Sequence, residues 1–440
     1  MTLTPRSDTD KYLLAVPLLM ALVPGGGTRA GLITDTVTQL VAVLASSIVI
    51  MRNMDRPIDR RAFWFLVCVT GGFVLQLLPI SSELTRSTQG ILPDVPPDVL
   101  TDFEGRTLSL DVSRTMEVAV YFLTLSFFFA AVTKLRVDQV FSLIPFFLVG
   151  VVINLAAGSI QYSFSGQASV RGLFPYDLNA GFFVNTNHFS SLIFISIPIA
   201  FAYFLKINRP LLLIAYVMCA LLILLAAGSL AGVLIGFAIA ALSVVTLLQR
   251  HHIGILLVIS GAALAGVYGV AVWTRIRSEQ FHLGFGRWEF ARTTWEGIRD
   301  NFPFGIGYGN FVTGYPSYEK SSMIFHRYVN HAHNDYLELL FEGGVFAAAA
   351  LFAFFVILFW RTLETLSSPL HRATALAVIF VLVHSVADYP LRTLAIGFSF
   401  TLFLGLLFHR GPERPGKPPA GEARLEVDGK VVVVPLTGSN

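Results

Sequence analysis

Apolar stretches long enough to cross a bilayer alternate with shorter polar ones along almost the whole chain. A helix spanning the hydrocarbon core needs about 20 mostly apolar residues. Twelve stretches fit, near 12–23, 31–51, 62–80, 116–133, 139–158, 188–205, 210–227, 230–248, 253–273, 339–360, 373–388 and 392–408. The pattern predicts an all-α fold, a polytopic transmembrane helical bundle of about twelve spans. The first stretch is as short as a signal-peptide core. Its leader holds Asp8 and Asp10, however, and no small-residue cleavage site follows, so it reads as an uncleaved span. Polar segments fall at 81–115, 159–187 and 274–338, the last and longest between spans nine and ten. Residues 1–408 thus read as one transmembrane domain and 409–440 as a tail, in which Asp428-Gly429 between two apolar runs predicts a small hairpin. No internal repeat is visible.

Composition sharpens this picture. Of 440 residues, 54% are hydrophobic and 13% charged, with a mean hydropathy of +0.67. A soluble globular chain carries about 25% charged residues, so a cytosolic enzyme, a disordered chain and a secreted disulfide scaffold are excluded. Cys68 and Cys219 both lie inside apolar runs, which argues against a disulfide framework or a cysteine zinc site. A net charge of +3 is too small for a nucleic-acid footprint. Its distribution is more telling, because Lys and Arg are retained on the cytoplasmic side. With the N-terminus inside, the inner segments before the tail hold thirteen Lys and Arg. The short outer loops hold six: Arg29, Arg86, Arg106, Arg114, Arg171 and Arg392. The cluster Arg52, Arg56, Arg60 and Arg61 decides the orientation, and an even span count places both termini in the cytoplasm. The 274–338 segment then faces outward.

That segment carries most of the candidate chemistry. Trp288, Ala291, Trp295 and Ile298 fall at helical spacing, so a helix lying along the outer membrane–water boundary is expected. Arg287 on it could anchor the helix to lipid phosphates or bind a ligand. Three alternating glycines follow, Gly305, Gly307 and Gly309; their spacing does not match a dinucleotide loop, and a turn that admits a bulky ligand is expected. Next comes Asn330-His-Ala-His-Asn-Asp335-Tyr-Leu-Glu338. Asp335 and Glu338 resemble a capping box, so a helix should begin at Asp335. His333 would sit beside its positive end, where an anion is favoured and a neutral imidazole can accept a proton. His331, His333 and Asp335 could alternatively ligate a metal, but residues two apart share no helix face and no third histidine follows, so no metal is expected. Both histidines could also simply cap and bond the loop. Asp8 and Asp10 resemble the metal carboxylates of sugar-nucleotide enzymes but lie on the inner side. His384 and Asp388 sit at the outer end of a span, where ionisable groups usually line a cavity, and that role is expected ahead of a local pair between Asp388 and Arg392 that only fixes the loop.

Four segments resemble the O-antigen ligase and polysaccharide polymerase family of bacterial envelope proteins. They are Asn185-Thr-Asn187-His188-Phe189; Arg287-Trp288 with Asp300-Asn-Phe-Pro-Phe-Gly-Ile-Gly-Tyr-Gly-Asn-Phe311; His333-Asn334 with Gly344; and His384-Ser-x-x-Asp388-Tyr389-Pro-Leu-Arg392-Thr393. Together they cover roughly 180–395. The resemblance implies an inverting, metal-independent glycosyltransferase of the bacterial inner membrane with a large periplasmic loop and no cofactor. It would take a glycan from undecaprenyl diphosphate and pass it to a sugar hydroxyl on another glycan or on lipid A–core, among membrane lipids and within an envelope polysaccharide assembly complex. The family's general base carries over to His333. Its diphosphate-binding arginines best match Arg287, then Arg171 and Arg392, with His331, Asn334, Asn187 and Asp388 as further substrate contacts. The family's Ser-Arg in the eighth span is absent here, where Gly228-Ser229-Leu230 stands, and Ala347 replaces an expected Gly, Thr or Tyr.

The assignment is chemically coherent. Diphosphate is a good leaving group, so the protein need supply only a base, cations and positioning. Arginine forks suit diphosphate better than lysines. A lipid-linked glycan flippase or other transporter is the competing expectation, but transporters of this size usually show related halves with charges at mid-membrane. A non-catalytic scaffold leaves the polar loop motifs without a role.

Overall fold

The computed structural model describes residues 9–28, 31–79, 107–163, 180–248, 284–320, 329–409, 422–427 and 430–435. Its long helices are α1 Asp10–Leu22, α2 Ile33–Arg52, α3 Arg60–Leu77, α4 Val112–Lys134, α5 Ile144–Ser163, α6 Thr186–Lys206, α7 Pro210–Ala226, α8 Leu230–Leu247, α9 Gly284–Asn301, α10 Asp335–Thr365, α11 Pro369–His384 and α12 Leu394–Phe408. Each expected apolar stretch therefore meets a helix, save 253–273, which lies outside the described residues. Among the described residues, seven helices are long and apolar enough to cross a membrane; Pro210–Ala226, Pro369–His384 and Leu394–Phe408 are apolar but shorter. The expected hairpin forms in the tail, where Glu422–Val427 pairs antiparallel with Lys430–Pro435.

Local chemistry sets the helix starts. Asp59, Asp111, Asn185, Ser229 and Asn334 each accept backbone N–H bonds from the first turn they precede. Pro210 and Pro369 open their helices at the position where a missing N–H costs nothing. Inside the apolar helices, Thr38, Thr124, Ser190 and Ser399 return their hydroxyls to carbonyls four residues back, which satisfies these hydroxyls within their own helices.

The core centres on α6, which packs against α7, α8 and α11 and is almost wholly enclosed. Close approach of α8 needs small residues: a Cβ on Gly232 would stand 2.5 Å from Ser190 Cβ. A second group of helices, α1, α2, α4 and α12, packs alongside. Large apolar side chains such as Leu211 (79% exposed) and Phe352 (73%) face outward, where lipid tails would be.

The bundle has two chemically distinct poles. At one, the Arg52–Arg61 cluster meets the ends of α4, α10 and α12: Arg61 pairs with Glu364 at 2.9 Å, Lys134 Nζ donates to Arg56 O at 2.5 Å, and Arg361 donates to the carbonyls of Leu407 and His409. Asp10 belongs here too, bonded to Arg52 and Asn53, which makes it a pin between α1 and α2 rather than a metal carboxylate. The opposite pole gathers the starts of α4, α6, α10 and α12 with the ends of α3 and α11, and holds the polar site.

Candidate functional site

The site is assembled on a break in α10. At Gly344 (φ 52°, ψ −131°) the helix leaves its regular course, which frees the carbonyls of Phe341 and Glu342. The glycine-rich turn after α9 fills the gap. Ile306 N–H donates to Phe341 O at 3.2 Å, Gly307 N–H to Glu342 O at 2.8 Å, and Val345 N–H turns to Pro303 O at 2.7 Å. Gln76 of α3 closes the joint, its Nε2 donating to Glu342 O and its Oε1 accepting from Tyr308 N–H. Gly305, Gly307 and Gly309 all have positive φ, and side chains there would strike Glu342, Ser109 and Arg114. The expected opening for a bulky ligand is thus corrected. These glycines admit the protein's own backbone, and so dock α9 onto α10.

On α9, Thr293, Thr294, Gly297 and Ile298 face inward, while Trp288 (75% exposed) and Trp295 (51%) point away. The expected apolar stripe splits accordingly: its tryptophans are outside and Ile298 packs beneath them against Phe341. Arg287 and Phe290 reach the site from the same helix.

Asp388 is the centre. It follows α11, which ends at His384, and is completely buried. One carboxylate oxygen, Oδ1, accepts the Tyr389 amide at 3.0 Å and lies 3.5 Å from His188 Nε2 and 3.4 Å from His333 Nδ1. The other, Oδ2, accepts a short hydrogen bond from Asn187 Nδ2 and stands 3.3 Å from an Arg287 guanidinium nitrogen. Burial alone would push this carboxyl up, but the facing imidazoles of His188 and His333 outweigh it and hold Asp388 well below the usual carboxylate range. His333 is within ion-pair reach without an aligned hydrogen bond, its ring stacked on Phe290 at 5.7 Å. His333 has φ 50°, a left-handed conformation unusual outside glycine and found where backbone strain serves a site. Asn334, the next residue, caps α10 through Tyr336 and Leu337 N–H, and its Nδ2 donates to Val386 O.

A second cluster lies beside the first. Arg392 is turned inward against Glu342 (3.1 Å), Glu338 (3.5 Å) and Asp335 (3.6 Å). Burial works against its charge, yet these three carboxylates hold its guanidinium above its usual range. Glu338 also takes His331 Nδ1 at 2.7 Å and the Ala332 amide at 2.9 Å.

Several expectations are corrected here. α10 does begin at Asp335, but its cap is Asn334, and Glu338 reaches back to His331 and Ala332 instead of closing a capping box. Asp388 pairs with Arg287, not Arg392. His384 is buried away from the Asp388 carboxylate, its Nδ1 2.8 Å from Ser191 Oγ and its ring edge-on to Phe194, so it packs α11 on α6. The three residues weighed as metal ligands diverge: Asp335 bonds Ser385 and Arg392, while the two histidines face separate carboxylates. Among the described residues no three His, Cys, Asp or Glu side chains gather in a way that could hold a metal ion. Arg171 lies outside the described residues. Sequence reasoning gave Glu338 only a capping role, named His188 and Tyr389 only as parts of motifs, and gave Glu342 none; the signal for the glutamates was their spacing, four apart at the start of an apolar helix, where isolated charge demands a partner.

An apolar helical bundle with an arginine, a carboxylate and two histidines converging at one pole defines a multi-pass membrane protein with a polar site at its surface. Residues 178–352 match the family described as O-antigen ligase, a stretch that carries Asn187, Arg287 and His333 and includes the break at Gly344. Over that stretch the chain is similar to the O-antigen ligase family, and the stretch sits within a multi-pass set of apolar helices. No curated protein matches the chain.

Proposed function

We propose that the protein transfers a glycan from undecaprenyl diphosphate to an acceptor sugar hydroxyl, with inversion and without metal, at the outer face of the bacterial inner membrane. The Arg52–Arg61 pole lies in the cytoplasm with both termini, and the Asp388 pole faces the periplasm. The observation that carries this reading is the convergence of Asn187, Arg287 and His333 on one carboxylate, from segments far apart in the chain.

In this reading Asp388 directs His333 Nδ1 and leaves Nε2 for the acceptor. The acceptor hydroxyl gives its proton to Nε2 as its oxygen attacks the anomeric carbon from the face opposite the diphosphate. The carbon–oxygen bond to the diphosphate breaks, and the leaving group departs with the electron pair and its added negative charge. Arg287, 39% exposed at its side chain and already at the rim of the site, meets that charge. Arg392 is held by three carboxylates, so its part is to fix the start of α10 and the turn that bears Asp388.

Arg287→Ala is expected to raise the donor KM about tenfold or more, the cost of a lost charged hydrogen bond, and to lower kcat as well. Steady-state kinetics with varied donor checks this; an unchanged donor KM and kcat would remove Arg287 from the diphosphate site. Deleting the gene tests the function itself. Long chains missing from lipid A with lipid-linked polymer intact indicate ligation, and single repeats left on the carrier indicate polymerisation. Unaltered glycans on both would contradict the proposal.

A further inference from the structure

We infer that Tyr389 is a positioning residue for this transfer, an inference that rests on His333 being the base. Its ring, 4% exposed, is inserted among three imidazoles: His331 at a centroid distance of 4.1 Å and 32°, His188 at 4.7 Å and 87°, and His333 at 5.0 Å and 75°. Each imidazole is tied to a carboxylate by only one ring nitrogen, His331 to Glu338 and the other two to Asp388. One such tie leaves the ring free to swing, because the last torsion of a histidine is broad. A flat, immobile face removes that freedom. Tyr389 is itself held at both ends, its amide on Asp388 Oδ1 at 3.0 Å and its hydroxyl reached by Asn330 Nδ2 at 3.4 Å. The same residue thus locks the carboxylate and the ring that the carboxylate aims. With His333 at 3.4 Å and off the hydrogen-bond angle, the Asp388 contact alone does not fix the direction of Nε2; the Phe290 ring stacked on it and the Tyr389 ring packed edge-to-face against it do.

The inference separates ring from hydroxyl. Tyr389→Phe keeps the ring and the amide bond to Asp388, loses only the long Asn330 contact, and should retain most of the wild-type kcat. Tyr389→Met fills similar volume without a plane and should lose about tenfold to a hundredfold in kcat, the cost of a misdirected group, with donor KM unchanged. Thermal unfolding in detergent identifies any variant that simply fails to fold. Combining Tyr389→Met with His333→Ala discriminates further: a ring that works through His333 adds no loss once His333 is gone, whereas general damage to the fold adds in full. Wild-type kcat in Tyr389→Met, or an equal loss in Tyr389→Phe, would overturn the inference. Full activity in His333→Ala alone would instead overturn the base assignment on which it rests.

Discussion

Replacing His333 by alanine should lower kcat by about 10² to 10⁴, the range that general acid–base catalysis supplies. Donor affinity should change little, because the diphosphate is assigned to Arg287 rather than to the imidazole. The residual rate would come from positioning and charge alone, and His333→Asn should not restore it, since an amide cannot take the acceptor proton. Neither variant should unfold the protein. Removing His333 leaves Asp388 with the Tyr389 amide, Asn187, His188 and Arg287, so no unpaired buried charge results. Donor binding with transfer abolished, measured on folded protein, is the expected signature. Full transfer by His333→Ala would move the base elsewhere in the site.

The second large effect is on folding. Gly344→Ala should destabilise the protein by about 3 kcal/mol or more, the scale of a backbone outlier combined with a clash. Gly344 has φ 52° and ψ −131°, and its would-be Cβ lands on the carbonyl oxygen of Pro303 and the backbone of Phe304 and Gly305. Those atoms belong to the turn that satisfies the broken helix, so they cannot withdraw without losing the bonds at Ile306, Gly307 and Val345. Gly71 of α3 makes the control: nothing lies within 4 Å of a Cβ there, and Gly71→Ala should be neutral or stabilising by up to about 1 kcal/mol. Thermal unfolding in detergent compares the two. Equal midpoints would mean that the Gly344 break is not what holds α9 against α10.

How much of this was readable in the sequence follows from the range of each interaction. The apolar helices are local facts, set by runs of side chains and by caps such as Asp59, Asp111 and Ser229, and their positions agree with the twelve stretches wherever residues are described. The separate members of the Asp388 group were visible as motifs, yet their meeting was not. Asn187 and Asp388 are 201 residues apart, and Arg287 and Asp388 are 101; no periodicity encodes such a contact. Where two partners competed, the nearer one in sequence was not the one used. Asp388 has Arg392 four residues on, but the buried glutamates of α10 claim that arginine, leaving Asp388 to Arg287. The alternating glycines signalled close backbone approach correctly. Their partner was the frayed turn at Gly344, a break that an otherwise apolar helical run hides.

On the proposed function, the pole around Asp388 performs glycosyl transfer by direct displacement. Its most direct test is the anomeric configuration of the new linkage, read by NMR after purified protein is incubated in chelator with an undecaprenyl diphosphate-linked glycan and an acceptor sugar. The expected linkage is inverted relative to the donor, with one undecaprenyl diphosphate released for each bond formed. Retention of the donor configuration, or transfer only after a divalent ion is restored, would contradict it.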